Sequence, residues 1–359
     1  MNLRRKLAAA TICCAALLAN VCSAELKSGK AELKSAGPLA FGPDGILFVG
    51  DSAGAAIFAL DTGDRKAAPG GTVDIQGLNQ KVAALLGSSP DQIKIQDMAV
   101  NPASKNIYLS VARGAESAPV LLRADASGKL TELALDNIKH SRVSLPDAPA
   151  ADAKDNRGNS KRVETITDIG FVDGKVVIAG LSNEEFSSSL RSIPYPFKEA
   201  EKGASIEIFH GAHGRFETNA PVRTFVNYSI EGKPHILAAY TCTPLVRIPV
   251  SELKAGNKVK GTTIAELGNR NRPLDMIVYQ KDGKDFFLMA NSSRGVMKLP
   301  AAKLDSYSAI TAKTEKEGVP YETLAQFQGV QQLDKFNDTT AVMLVADAGN
   351  MKLQTVPLP

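Results

Sequence analysis

The sequence of 359 residues contains 42 lysines and arginines against 38 aspartates and glutamates, lacks tryptophan, and has a formal net charge of +4 at pH 7. A charge balance this close to neutral gives no electrostatic basis for binding nucleic acid or an anionic membrane surface. We therefore expect the partner to be a small ligand or another protein.

The first 24 residues have the pattern of an export signal. Residues 4–6 are basic, residues 7–21 are apolar, and residues 22–24 are small, as at a signal peptidase site. An apolar run of about 15 residues is shorter than the roughly 20 that a membrane span requires. The pattern predicts a cleaved signal peptide over residues 1–24, no membrane insertion after cleavage, and a periplasmic or secreted mature chain.

Cleavage changes the composition of the mature chain, residues 25–359. It removes three of the four cysteines and three basic residues, which leaves Cys242 as the single cysteine and 39 basic against 38 acidic residues. An intramolecular disulfide is then excluded, although the compartment would allow one. We expect the mature protein to be a monomer.

A short pattern of two apolar strands joined by a turn recurs along the mature chain. Six copies start roughly 50 to 70 residues apart, a spacing that suits four-stranded blades. They lie in residues 38–51, 97–113, 168–180, 224–240, 275–291 and 333–347. Because a closed ring of blades leaves few strand edges exposed, the repeats predict a single all-β domain, a six-bladed β-propeller. A β-sandwich or two small barrels is the structural alternative.

Two segments of these repeats resemble the NHL-like and SMP-30-like propellers. Residues 41–51 read Phe-Gly-Pro-Asp-Gly-Ile-Leu-Phe-Val-Gly-Asp, and residues 344–350 read Leu-Val-Ala-Asp-Ala-Gly-Asn. The resemblance is one of fold and covers most of the mature chain. As an alternative function it implies a lactonase-type hydrolase in which acidic and Asn residues hold calcium, a role that Asp168, Asp275 and Asn291 would imitate.

Polar residues are predicted to ring one mouth of the central channel. In a propeller, the loops before the innermost strand and after the second strand of each blade open on one face, where ligands commonly bind. The candidate ligand-binding residues at this mouth are Asp97, Asp168, Glu184, Arg191, Asp275, Asn291 and Arg294. The carboxylate and amide oxygens among them suit a hard cation such as calcium. The alternative is that each aspartate caps a turn by accepting nearby backbone N–H groups.

Two segments between the repeats are long. Residues 182–204 are predicted to be an insertion that folds over the channel mouth and carries Glu184 and Arg191, because long loops on rigid scaffolds often hold binding residues. Solvated charge on a surface loop is the alternative. Residues 146–161, rich in Ala, Asp, Asn and Pro, are predicted to be a mobile linker between blades.

Histidine and cysteine are scarce but concentrated. His210, His213, His235 and Cys242 fall within 33 residues. Imidazole and thiolate together suit copper or zinc, so these four residues are predicted as metal ligands. If His210 ends a fourth strand, His213 shares a face with Cys242; if it ends a third strand, His213 lies with His235. The alternative is a buried structural cysteine with histidines that bond to loop backbone.

Two functions remain open from the sequence. The first is an exported binding protein that holds copper, zinc or a small ligand. The second is the calcium-dependent hydrolase of the SMP-30-like type. The Glu-Gly-Pro opening usual in that family is replaced by Ala36-Gly37-Pro38, and we therefore favour the binding protein.

Overall fold

The computed structural model describes residues 26–68, 70–242 and 244–359. The predicted signal peptide, residues 1–24, lies outside the described residues. No helix within the described part of the chain is long and apolar enough to cross a membrane.

The described residues form short strands with little helix. In chain order the strands are β1 (Lys27–Gly29), β2 (Leu39–Phe41), β3 (Ile46–Asp51), β4 (Ala56–Asp61), β5 (Asp74–Ile75), β6 (Ile93–Val100), β7 (Ile107–Arg113), β8 (Ala118–Ala124), β9 (Leu130–Glu132), β10 (Ile138–Ser144), β11 (Asp168–Val172), β12 (Lys175–Leu181), β13 (Ser188–Pro194), β14 (Ala204–His210), β15 (Arg215–Glu217), β16 (Thr224–Ile230), β17 (Lys233–Ala239), β18 (Pro244–Pro249), β19 (Lys258–Lys260), β20 (Thr262–Leu267), β21 (Pro273–Lys281), β22 (Lys284–Asn291), β23 (Gly295–Pro300), β24 (Lys316–Gly318), β25 (Glu322–Leu324), β26 (Val330–Lys335), β27 (Thr340–Asp347) and β28 (Asn350–Pro357). The helix α1 covers Leu78–Leu85, and single 3-10 turns cover Pro43–Gly45, Pro90–Gln92, Arg162–Glu164, Val250–Glu252 and Leu304–Ser306.

These strands form six sheets, each named here as a blade by its innermost strand. The innermost strands contact one another in the closed order β6, β2, β11, β16, β21, β26 and back to β6. Six clusters of buried apolar side chains lie at the six junctions between neighbouring blades. Burial of these faces stabilises the ring, and the predicted six-bladed β-propeller is confirmed.

The blades do not follow one another around the ring in chain order. The β6 blade comes second in the chain, yet it lies between the β26 and β2 blades. The chain then returns, and β10 completes the β2 blade by pairing with β4, while β1 adds to its outer edge. The β26 blade is completed by β5, which pairs with β28. Two blades are therefore closed by strands distant in the sequence.

Tight turns explain why the first two strands of a blade recur so clearly in the sequence. Two-residue loops join β11 to β12, β16 to β17 and β21 to β22, and they read Asp173-Gly174, Glu231-Gly232 and Asp282-Gly283. Both residues of each loop have positive φ. This conformation belongs to the turn that matches the twist of a β-hairpin, and glycine adopts it without steric cost.

The structure corrects the interpretation of residues 182–204 as an insertion. The loop after β12 is only residues 182–187, and the chain then forms the third strand of the blade, β13. Arg191 lies within β13 and is 1% exposed, so it does not reach the channel mouth. Its Nε donates to Asp147 Oδ1 at 2.9 Å, and Asp147 Oδ2 accepts the N–H of Gly203 at 3.0 Å. This buried ion pair anchors the start of the segment predicted to be a mobile linker.

Candidate functional site

Two loops meet where the β11 and β16 blades adjoin. His210 ends β14, the fourth strand of its blade, and the N–H groups of His213 and Gly214 fold back onto the His210 carbonyl at 3.1 and 2.8 Å. Cys242 follows β17, the second strand of the next blade, and adopts a positive φ of 65°. Because second and fourth strands end at the same face, the histidine turn and Cys242 come together there.

The three side chains are close enough to share a metal ion. One possible ligand atom from each of His210, His213 and Cys242 lies within 4.8 Å of the other two. The imidazole ring centroids of His210 and His213 are 3.9 Å apart. In a tetrahedral site with bonds of 2.0 to 2.3 Å, ligand atoms are separated by about 3.5 Å, so only a small closure is needed. Within the described residues, no other group of three His, Cys, Asp or Glu side chains meets this spacing.

Glu217 holds both imidazoles. Its Oε2 is 2.8 Å from Nδ1 of His210, and its Oε1 is 2.7 Å from Nδ1 of His213. Burial acts to raise the pKa of Glu217, but the hydrogen bonds from the two histidines and from Arg215 outweigh it and lower the pKa to about 2. An ionised carboxylate accepts both Nδ1–H groups, which assigns the lone pair of each imidazole to Nε2.

One ring nitrogen of His210 is buried without a hydrogen-bond partner among the described residues. The residue is 3% exposed, and the nitrogen without a partner is Nε2. A buried polar atom without a partner costs about 1–3 kcal/mol. A metal ion bound at Nε2 would remove this cost, and carboxylate, histidine and metal in series form a recurring arrangement.

A second carboxyl group lies beneath the histidine turn. Oε1 of Glu266, on β20, accepts the N–H of Gly211 at 2.5 Å, and its buried Oε2 has no partner in the described chain. Burial raises the pKa of Glu266 to about 7. A Cβ on Gly211 would come within 2.8 Å of Glu266 Cγ. Glycine therefore allows the turn to pack closely on this carboxyl group.

His235 does not belong to this group, contrary to the sequence interpretation. It lies near the start of β17, at the opposite end of the strand from Cys242, where it pairs with Tyr228 and Pro249 on neighbouring strands. Its Nδ1 contacts the Lys233 carbonyl oxygen at 2.9 Å. Because β14 is a fourth strand, the first of the two predicted topologies holds, and it separates His235 from the histidine turn.

Four aspartates connect the innermost strands around the channel. Each accepts a backbone N–H from another innermost strand next to it in the ring. The pairs are Asp97 with Leu39, Asp168 with Phe225, Asp275 with Leu333 and Asp334 with Val100, at 2.6 to 3.0 Å. The alternative interpretation, that the aspartates accept backbone N–H groups, applies both between blades and locally, since Asp168, Asp275 and Asp334 also accept the N–H of the following residue. The sequence analysis did not predict Asp334 as a channel residue. Like the other three aspartates, it lies on the innermost strand of its blade.

Burial dominates the ionisation of these four carboxyl groups. It raises the pKa of Asp168 to about 7 and that of Asp334 to about 6. Burial also raises the pKa of Asp97 and Asp275 well above the usual range, and the neighbouring carboxylates add to the increase. Among these four described side chains, no three have carboxylate oxygens within 4.8 Å of one another. Their geometry therefore gives no support to the predicted calcium site.

The aspartates separate two cavities along the channel. A cavity of about 640 Å³ opens where the innermost strands end, and a cavity of about 130 Å³ opens where they begin. Asp97, Asp168 and Asp275 line both. The smaller cavity is also lined by Arg223 and Arg272, which directly precede β16 and β21.

The other predicted mouth residues line neither cavity. Glu184 pairs with Lys202 at the surface at 2.6 Å. Asn291 is buried and accepts a hydrogen bond from Asn271 at 2.9 Å. Arg294 donates to the Asn269 carbonyl at 2.9 Å. These side chains form local contacts instead.

Comparisons with known proteins do not place the chain in a family. No protein-family model matches the chain, and no curated protein sequence matches it. Solved structures similar to it include one described as an oxidoreductase (glucose dehydrogenase) from Thermus thermophilus, with 12% identity, a TM-score of 0.37, and coverage of 92% of this chain and 100% of that one. A PQQ-bound aldose sugar dehydrogenase from Streptomyces coelicolor has 10% identity, a TM-score of 0.33, and coverage of 93% and 97%. A streptogramin B lyase has 11% identity, a TM-score of 0.34, and coverage of 92% and 97%. Similarity this low carries no argument about activity.

Proposed function

We propose that this protein is an exported β-propeller that binds one copper or zinc ion through His210, His213 and Cys242. The observation that carries the proposal is the buried Nε2 of His210, which has no hydrogen-bond partner and belongs to the one group with metal spacing in the described chain. A structural role for His210 would not require an imidazole with a buried, unused nitrogen.

The donor set favours a borderline or soft ion. Two imidazoles and one thiolate suit zinc and copper, whereas calcium and magnesium prefer oxygen. Three protein ligands leave the fourth position of a tetrahedral ion available to water or to a small ligand. Glu217 would orient both imidazoles through Nδ1 and increase their basicity.

Export, as the N-terminal sequence predicts it, is consistent with this assignment. In an oxidising compartment, a lone thiol is exposed to oxidation unless it is buried or bound to metal. Cys242 is only partly buried, and metal coordination would protect it. The same face carries the smaller channel opening, which offers a route for a small ligand or a protein partner.

Metal analysis of the mature protein tests the proposal. Purified protein is loaded with Zn²⁺ or Cu²⁺, dialysed, and measured for metal content and for affinity by titration calorimetry. We expect one equivalent in the wild-type protein and loss of stoichiometric binding in His213→Ala and in Cys242→Ser. His213 is exposed, so the melting curve of metal-free His213→Ala should remain close to that of the wild type.

His235→Ala is the matched control, because among the described residues this histidine contacts only the backbone of its own strand. It should retain one equivalent of metal with unchanged affinity. The proposal fails if the wild-type protein binds neither metal stoichiometrically, or if His213→Ala binds as tightly as the wild type.

A further inference from the structure

The smaller channel cavity has basic side chains at one end and acidic side chains at the other. Arg223 and Arg272 precede their innermost strands and so lie at the rim, whereas Asp97, Asp168 and Asp275 lie deeper, where the two cavities meet. Uncharged polar side chains line the wall between them, namely Gln96, Thr167, Thr224 and Gln332. A volume of about 130 Å³ corresponds to about four waters and excludes a large organic ligand.

The rim carries excess positive charge. Arg223 forms an ion pair with Glu164, and its Nε donates to Thr241 Oγ1 at 3.2 Å. The guanidinium of Arg272 has no carboxylate or hydrogen-bond partner among the described residues. Partial burial and the adjacent charge of Arg223 lower the pKa of Arg272. Two neighbouring guanidinium groups with one carboxylate between them are suited to bind a further carboxylate.

The floor has unused acceptor capacity. Asp168 accepts N–H groups from Ile169 and Phe225, and Asp275 accepts them from Met276 and Leu333. Each carboxylate offers about four lone-pair sites, so each retains room for a further donor. Burial raises the pKa of Asp168 and Asp275, and a cation at hydrogen-bond distance would offset this effect by stabilising their ionised forms.

The wall beside Asp168 is polar and enclosed. Thr224 lines the cavity there, is 2% exposed, and lowers the pKa of Asp168. Its hydroxyl oxygen is covered by protein, so the charged groups at the two ends of the cavity are the contacts available to a ligand.

We propose that this cavity binds a small zwitterion, an amine carboxylate of the amino acid class, with its carboxylate on Arg223 and Arg272 and its ammonium on Asp168 and Asp275. Each end of the cavity alone would attract a simple anion or cation. The two ends together favour a molecule that carries both charges, since it neutralises the rim and the floor without a second counterion. This site is separate from the metal site and does not depend on it.

Titration calorimetry at pH 7.5 with glycine, L-alanine and β-alanine tests the proposal, and acetate and methylamine serve as half-ligands. At least one zwitterion should bind with one-to-one stoichiometry and with an affinity at least about tenfold above either half-ligand, which corresponds to about 1.4 kcal/mol. Arg272→Gln should weaken zwitterion binding at least tenfold. It should not unfold the protein, because the guanidinium makes no hydrogen bond or ion pair among the described residues.

Arg270→Gln is the matched control. It removes the same charge from the same loop, but Arg270 is exposed and lines neither cavity. Its affinity should equal that of the wild type. Equal binding of acetate and the zwitterions would reduce the site to an anion site and overturn the proposal. Absence of zwitterion binding, or equal losses in Arg270→Gln and Arg272→Gln, would overturn it as well.

Discussion

His210 lies at the end of a strand, enclosed by protein but held through only one ring nitrogen. Glu217 provides that contact and, by binding His213 with its other oxygen, places the two rings side by side. Only three residues separate His213 from Glu217, so the short hairpin from β14 to β15 is sufficient to assemble this unit. The neighbouring blade has to add only Cys242.

Glu217→Gln should reduce metal affinity by about 10- to 100-fold while leaving the stoichiometry at one. The two imidazoles contact different oxygens of Glu217, and glutamine has an NH2 group in place of one of them, which cannot accept the hydrogen bond there. Competition titration with a chelator measures the change. Arg215→Gln is the control, because it removes an exposed partner of Glu217 and leaves both histidine contacts in place. An unchanged affinity in Glu217→Gln would show that Glu217 does not position the ligands.

At the scale of elements, β13 shows how polar composition concealed a strand. It carries serines at 188, 189 and 192 and a buried arginine, which together read as a loop in the sequence. The strand is stabilised because Arg191 pairs with Asp147 from a distant loop, with both side chains 1% exposed. The pair joins the segment after β10 to the β11 blade.

Arg191→Met should lower the free energy of unfolding by about 3–5 kcal/mol, because it leaves the Asp147 carboxylate buried without its cation. Urea denaturation followed by circular dichroism measures the change. Lys202→Met removes the exposed partner of Glu184 and should leave the urea midpoint close to that of the wild type, because solvent screens this pair. The two variants delete the same charge, so similar losses in both would contradict the interpretation that burial makes Arg191 important.

For the whole molecule, the four channel aspartates join neighbouring blades around the ring. The bonds connect β26 with β6, β6 with β2, β11 with β16 and β21 with β26. Four buried carboxyl groups with raised pKa values make the closure of the ring sensitive to pH. Their protonated forms are favoured in the folded state more than in the unfolded state.

The stability of the protein should therefore fall as pH rises from about 4 to 7. Asp334 contributes because its pKa rises from 3.8 to about 6 on burial. Its contribution is fully present below pH 3.8 and is lost as pH rises through 6, with a magnitude of about 1–3 kcal/mol. Asp334→Asn should flatten this part of the profile, as measured by urea unfolding at several pH values.

Asp338→Asn is the control for the pH profile, since the Asp338 side chain is 94% exposed and its pKa is lowered by Lys335. It should not flatten the fall in stability between about pH 4 and 7. A wild-type stability that rises over this interval would contradict the assigned direction of the pKa shifts.

The sequence by itself determined the all-β class and the number of blades, and it singled out His210, His213 and Cys242, together with His235, as candidate metal ligands. Hairpin turns such as Asp173-Gly174 act over two residues, and scarce residue types such as His and Cys stand out without any structure. Tertiary structure alone decided which of these residues meet. The ring order, the separation of His235 from His213, and the pairing of Arg191 with Asp147 depend on contacts between segments distant in the chain. Such contacts are selected by packing and charge compensation in three dimensions, and no local pattern in the sequence records them.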